Sequence, residues 1–284
     1  MYFDGLSPVE TVAKRGKRLT KSLAQHFLVD MEILEYILAA ALINHDDTVV
    51  EVGPGKGVLT KELVCLAGKV IGIELDSTMA ESLTRRIGSP NNLRVIHGDA
   101  RHVDLEELFR GIDSYKLVAN LPYYAANPIV RRFLEHNVLK PSIIVCMVQK
   151  EVAATMVAKA GRRTILSVAI QTYGDANIIC QVPPSAFFPQ PKVTSTVVKI
   201  DTFHSPIINP KDIDGFFRVV KAGFSAPRKQ LSNSLSIGLN INTSLASKVL
   251  KSAGIFPQRR PGTLSVEEWD RVHQMVKGAN CGVD

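Results

Sequence analysis

Residues 115–119, Tyr-Lys-Leu-Val-Ala, form a largely apolar run that ends on Asn120-Leu121-Pro122-Tyr123. A run of this length and composition predicts a buried strand. Asn127-Pro128 then predicts a helix start, with Asn as the cap and Pro at the first helical position. Strand, turn and helix in succession belong to an α/β sheet, and such sheets hold their ligands at the carboxyl ends of the strands. The turn suits a planar base with an exocyclic amine. The Asn120 side-chain oxygen can accept one N–H and the Leu121 carbonyl another, aimed by the stiff Pro122. Tyr123 can stack on the ring face. Turn chemistry alone accounts for these four residues equally well, so the rest of the chain has to decide.

A first strand is predicted at residues 48–52, followed by Gly53-Pro54-Gly55-Lys56-Gly57 and a helix from Val58. Glycines allow a sharp turn and close approach to a ligand, and the new helix offers free N–H groups. The spacing is G-x-G-x-G, not the G-x-G-x-x-G of dinucleotide sites. Residues 69–73 predict a second strand, ending in Glu74-Leu75-Asp76. Glu74 stands 19 positions after Gly55, where a ribose-binding carboxylate belongs. A third strand at 93–97 closes on Gly98-Asp99-Ala100, and Asp99 is placed to accept from an amine. Residues 142–148 predict a fifth, apolar strand, 176–182 a sixth, and 193–200 a last, antiparallel one. Between the last two lies Phe187-Phe188-Pro189-Gln190-Pro191-Lys192: either a loop pinned by its rings, or a stacking wall opposite Tyr123. Upstream, Asp30 is a cap for a helix whose apolar positions are Ile33, Leu34, Ile37, Leu38, Ala41 and Leu42.

The chain has 284 residues and a net charge of +7. Lys14, Arg15, Lys17, Arg18 and Lys21 crowd a stretch with no acid between Glu10 and Asp30. That stretch is either a solvated tail or an arm on RNA phosphates. Gly161-Arg162-Arg163 poses the same choice. Cys65, Cys146, Cys180 and Cys281 form no Cys-x-x-Cys pair, so no zinc or redox motif is visible, and a reducing cytoplasm is expected. No apolar run suits a membrane span or a signal peptide. Residues 201–210 predict a linker. Helical spacing resumes beyond it and predicts a small all-helical domain bearing Lys221, Arg228, Lys229, Arg259 and Arg260. The expected organisation is a basic arm at 1–20, an α/β domain at 21–203 and a helical domain at 211–284 whose basic residues are either a face for RNA or solvated helix ends.

The ordered set of motifs resembles the KsgA family of rRNA adenine dimethyltransferases. It comprises Gln25-His26-Phe27-Leu28, Glu51-Val52-Gly53-Pro54-Gly55-Lys56-Gly57, Glu74-Leu75-Asp76, Gly98-Asp99-Ala100, Asn120-Leu121-Pro122-Tyr123 and Phe187-x-Pro189-x-Pro191-Lys192-Val193. Ala222-Gly223-Phe224-Ser225 with Arg228-Lys229 and Asn233-Ser234-Leu235 is similar to the family's second domain. Bacterial members often carry Asn where this chain has His26. The resemblance implies a Rossmann-like methyltransferase sheet, mostly parallel with one antiparallel strand, followed by a small helical domain. It implies S-adenosylmethionine as methyl donor. His26 and Leu28 would flank its methionine end, Gly53 and Gly55 would pass under it, Glu74 would hold its ribose, Asp99 would take its adenine amine, and Asn120 would border it. Asn120 and the Leu121 carbonyl would bind the target N6, with Tyr123 and Phe187 sandwiching the base. The implied substrate is a pair of adjacent adenines near the 3′ end of small-subunit rRNA, in the assembling subunit, with no DNA or membrane partner and a monomeric enzyme. Rival readings are an Erm-like methylase of large-subunit rRNA and a small-subunit assembly factor without catalysis. The glycine spacing and Asn120 to Tyr123 argue against an NAD(P) oxidoreductase.

Overall fold

The computed structural model describes residues 26–136 and 139–279. The basic arm, Gln25 and Cys281 lie outside them. The described chain runs β1 (Phe27–Leu28), α1 (Met31–Ala41), β2 (Thr48–Val52), α2 (Val58–Leu66), β3 (Lys69–Glu74), α3 (Ser77–Arg86), β4 (Leu93–His97), α4 (Leu105–Leu108), β5 (Lys116–Asn120), α5 (Ala126–Glu135), β6 (Ile143–Gln149) and α6 (Lys150–Met156). It continues through α7 (Ile165–Tyr173), β7 (Gly174–Val182), β8 (Phe187–Phe188), β9 (Ser195–Thr202), α8 (Ile213–Gly223), α9 (Leu231–Leu239), α10 (Thr243–Ser252) and α11 (Val266–Gly278).

Seven strands form one sheet in the order β4-β3-β2-β5-β6-β9-β7. Strands β2 to β6 pair in parallel, and β9 runs antiparallel to β6. This is the Rossmann-like methyltransferase sheet that the motifs imply. Successive side chains point to opposite faces, and both faces of the central strands β2, β3, β5 and β6 are covered, so these strands are largely apolar, whereas the edge strand β4 buries no residue fully. Val49, Val70, Val118, Val145 and Val197 join Ile33, Leu34 and Ile37 of α1 and Leu59 and Leu63 of α2 in one core cluster. Their neighbours Ile71, Leu117, Ile144 and Cys146 point to the other face and are as fully buried. The one charge inside β5, Lys116, is satisfied by Asp47 at 2.7 Å.

Local chemistry sets the element ends. Asp30 caps α1, accepting from the Glu32 and Ile33 amides at 3.0 and 3.3 Å. Leu42, expected on the apolar face of α1, instead ends the helix in a left-handed conformation and is 61% exposed. Asn127 and Pro128 do not open α5. The cap is Ala125 and they take the second and third helical positions, still inside the first turn, where a missing N–H leaves nothing unpaired. A second, two-stranded sheet pairs Phe27 with Phe188 and Leu28 with Phe187, although Phe187 to Lys192 read as a loop.

Contacts divide the described residues into two compact units: 26–153 with 177–202, and 154–176 with 203–279. In the second unit α7 and α8 to α11 surround Phe216, Leu235, Leu250 and Trp269, all fully buried. Ser265 and Glu268 close a reciprocal cap at the start of α11.

Candidate active site

The carboxyl ends of β2, β3 and β5 and the turn after β4 open into one cleft in the first unit. All ten site residues singled out in the sequence line it: His26, Leu28, Gly53, Gly55, Glu74, Asp99, Asn120, Leu121, Tyr123 and Phe187. The turn from β2 to α2 forms its floor. Gly53, Gly55 and Gly57 take φ of +74°, +55° and +84°, a region that favours glycine. The third glycine serves packing. A Cβ on Gly57 would come within 2.8 Å of Leu83 and Ile87, on and just past α3. The turn leans on β1, with Lys56 Nζ 4.5 Å from the centre of the Phe27 ring.

Two carboxylates stand beside this floor. Glu74 is 5% exposed, and its oxygens accept from the Gly55 amide at 2.8 Å and the Asp76 amide at 2.9 Å. Each oxygen keeps a second lone pair for a hydroxyl donor. Asp99 accepts from the Arg101 amide at 2.9 Å and from its guanidinium, whose Nε lies 3.0 Å from both oxygens. The Arg101 hydrogen bonds hold the Asp99 carboxyl down at about 2. Asp99 is therefore ionised, with part of its accepting capacity already used by Arg101.

The third strand end, at Asn120 and Leu121, presents hydrogen-bond acceptors to the cleft. Asn120 Nδ2 donates to the His26 carbonyl at 3.3 Å, which leaves Oδ1 as the free acceptor. The Leu121 amide donates to the Met147 carbonyl at 3.2 Å, and no hydrogen bond among the described residues uses the Leu121 carbonyl. His26 Nδ1 lies 2.7 Å from the Pro189 carbonyl. A carbonyl only accepts, so Nδ1 carries the proton there. The His26 and Tyr123 rings lie 6.0 Å apart at 26°. Tyr123 is half-buried, with its hydroxyl 2.7 Å from Ser195 Oγ. Phe187 borders the cleft but is 2% exposed and joins the α1 core cluster, whereas Phe188 is 37% exposed.

Two cleft residues, Glu51 and Arg101, and Ser195 behind Tyr123 hold no role expected from the sequence. Glu51 is 2% exposed on β2, and its Oε2 has no hydrogen-bond partner among the described residues. Burial pushes its carboxyl up to about 8. The nearby Thr60 hydroxyl favours the charged form but makes no hydrogen bond of acceptable geometry with it. The signal was a lone acid inside an apolar strand. Arg101 and Ser195 had no such signal, since their partners are set by the fold. Away from the cleft, Arg163 and Arg259 are structural. Arg163 Nε donates to Gln171 at 2.8 Å, and Arg259 grips Glu268 at 2.6 and 2.9 Å. Arg162, Lys221, Arg228, Lys229 and Arg260 are exposed.

Comparison with known proteins places this geometry. A Dehalococcoides mccartyi protein named ribosomal RNA small subunit methyltransferase A is 44% identical over 261 residues, 92% of this chain and 89% of that one. The crystal structure of a dimethyladenosine transferase from Plasmodium falciparum superposes with a TM-score of 0.77 at 27% identity, over 89% of this chain and 98% of that one. The 23S rRNA methyltransferase ErmE superposes at 0.69 and 23% identity, over 88% and 99%, which shows a shared fold alone. The family described as ribosomal RNA adenine dimethylase matches residues 16–276. With almost the whole chain inside that match, this protein belongs to the ribosomal RNA adenine dimethylase family.

Proposed function

We propose that this chain, acting as a monomer in the cytoplasm, dimethylates N6 of two adjacent adenines near the 3′ end of small-subunit rRNA, within the assembling subunit. The carrying observation is the pair of acceptors at the end of β5: Asn120 Oδ1, freed by the bond of its amide to His26, beside the Leu121 carbonyl. The family membership, the curated relative's name and the basic surface of the second unit support the rRNA substrate. Among the described residues no helix is long and apolar enough to cross a membrane.

The residues of the cleft fit S-adenosylmethionine. The buried Glu51 oxygen without a partner suits the ammonium of its methionine end, near His26 and Leu28. Glu74 has lone pairs for the ribose hydroxyls, and Asp99 a carboxylate for the adenine amine. When bound, the cofactor supplies an electrophilic methyl on a positive sulfur.

The remaining work belongs to the chain. The N6 lone pair of adenine is delocalised into the ring. Asn120 Oδ1 and the Leu121 carbonyl accept from the amine and favour a tetrahedral nitrogen with a localised lone pair. Their help grows as the nitrogen becomes positive, so it lowers the barrier rather than only binding the base. The product ammonium is acidic, and no strong base is required. Stacking on Tyr123, with Phe187 beyond it, offsets the cost of taking the base out of its helix.

Incubating the protein and labelled S-adenosylmethionine with both ribosomal subunits, each lacking its native adenine methylation, tests the assignment. Label in small-subunit rRNA at adjacent adenines is expected. Label in large-subunit rRNA would favour the Erm-like chemistry. No label with tight subunit binding would leave an assembly factor.

A further inference from the structure

We infer that Ser195 is a positioning residue for the target base: its hydroxyl fixes the Tyr123 ring, so residues 187–195 set both walls of the base slot. This rests on the reading of Tyr123 and Phe187 as those walls.

Ser195 opens β9 and is fully buried, followed by buried Thr196, Val197 and Val198. A hydroxyl at such a position loses its water and destabilises the fold unless it is hydrogen-bonded. Among the described residues, the partner of its Oγ is the Tyr123 hydroxyl at 2.7 Å. Tyr123 stands on the turn after β5, 72 positions away in sequence. Partial burial raises its phenol, so the ring keeps its proton and can donate. The bond anchors the far end of a ring whose near end is set by a turn.

The same short segment reaches the other parts of the slot. Phe187 pairs with Leu28 across the two-stranded sheet. The Pro189 carbonyl lies 2.7 Å from His26 Nδ1, and the His26 ring faces Tyr123 at 6.0 Å. One stretch thus supplies a wall at its start, a tether for His26 in its middle and the hydroxyl that holds the opposite wall at its end. The separation of the walls is fixed within one piece of chain instead of depending on two loops moving independently.

The test uses the full chain, labelled S-adenosylmethionine and immature small subunits lacking the modification, in single turnover. Ser195→Ala and Tyr123→Phe remove the same hydrogen bond from opposite ends. Each is expected to slow methyl transfer roughly threefold to tenfold, the worth of one net hydrogen bond. Cofactor affinity by calorimetry should not change. The double variant should be no slower than either single one, because both act through one contact. Ser195→Thr, which keeps the hydroxyl, should recover most of the rate. Tyr123→Ala should be far slower than Tyr123→Phe. Normal rates for Ser195→Ala and Tyr123→Phe beside an inactive Tyr123→Ala would overturn the positioning role and leave the stacking reading intact. A normal rate for Tyr123→Ala would overturn both. Additive losses in the double variant would show that Ser195 acts through something other than Tyr123, and would also overturn the proposal. If Ser195→Ala fails to fold, Tyr123→Phe carries the test alone.

Discussion

Glu51 couples the protonation of the free protein to its stability, and the coupling can be worked out from its burial. The carboxyl titrates at about 8 in the fold against 4.5 when solvated, because burial disfavours its charged form. Between these values the folded state holds a proton that the unfolded chain releases. Folding of the cofactor-free protein therefore weakens as pH rises from about 4.5 to about 8, by roughly 1.4 kcal/mol per unit from this group. At pH 7 that amounts to roughly 3 kcal/mol. Glu51→Gln is neutral in both states and escapes it. Urea unfolding of both proteins at pH 5, 6 and 7 should give stabilities that separate progressively, with Glu51→Gln the more stable and the gap growing by roughly 1.4 kcal/mol per unit. The same variant should bind S-adenosylmethionine more weakly, since Gln cannot ionise as Glu51 can when an ammonium arrives beside it. Parallel stability curves for the two proteins would refute the account of Glu51 as a buried acid held without a partner.

Asn120→Ala should slow single-turnover methyl transfer at least roughly tenfold, a loss of about 1.4 kcal/mol of transition-state stabilisation, while cofactor binding is partly kept. Glu74→Ala should weaken S-adenosylmethionine binding in calorimetry, through the lost carboxylate and through the freed Gly55 amide that it holds at 2.8 Å. Gly57→Ala should lower stability by about 1–3 kcal/mol in urea unfolding, because φ is +84° and the new methyl would press on Leu83 and Ile87 at 2.8 Å.

Much of this fold is legible in the sequence because its signals are local. β2, β3, β5 and β6 are short, largely apolar runs, and β2, β3, β4 and β5 end on Gly53, Glu74, Asp99 and Asn120 or lead into them. Those residues meet because parallel strands bring their carboxyl ends to one edge. What is not legible depends on distant partners. The β1–β8 pairing joins two-residue strands across most of the chain, too short to carry a period. The Arg101 grip on Asp99 and the Ser195 contact to Tyr123 exist only once the turns are folded. Residues 154–176 group with the C-terminal helices through such contacts as the Gly161 amide to the Gly262 carbonyl at 2.8 Å, which no composition shift announces. Phe187 was readable as an aromatic beside prolines, but its near-complete burial follows from its pairing with Leu28.

We propose that the acceptor pair at Asn120 and Leu121 serves repeated methylation of adenine N6, and nucleoside analysis of small-subunit rRNA after incubation with labelled S-adenosylmethionine and either the native chain or Asn120→Ala tests this. The native chain should yield N6,N6-dimethyladenosine at two adjacent positions, and the variant little of it in the same time. Equal yields from both proteins, or methyl groups on any atom other than N6, would contradict the account.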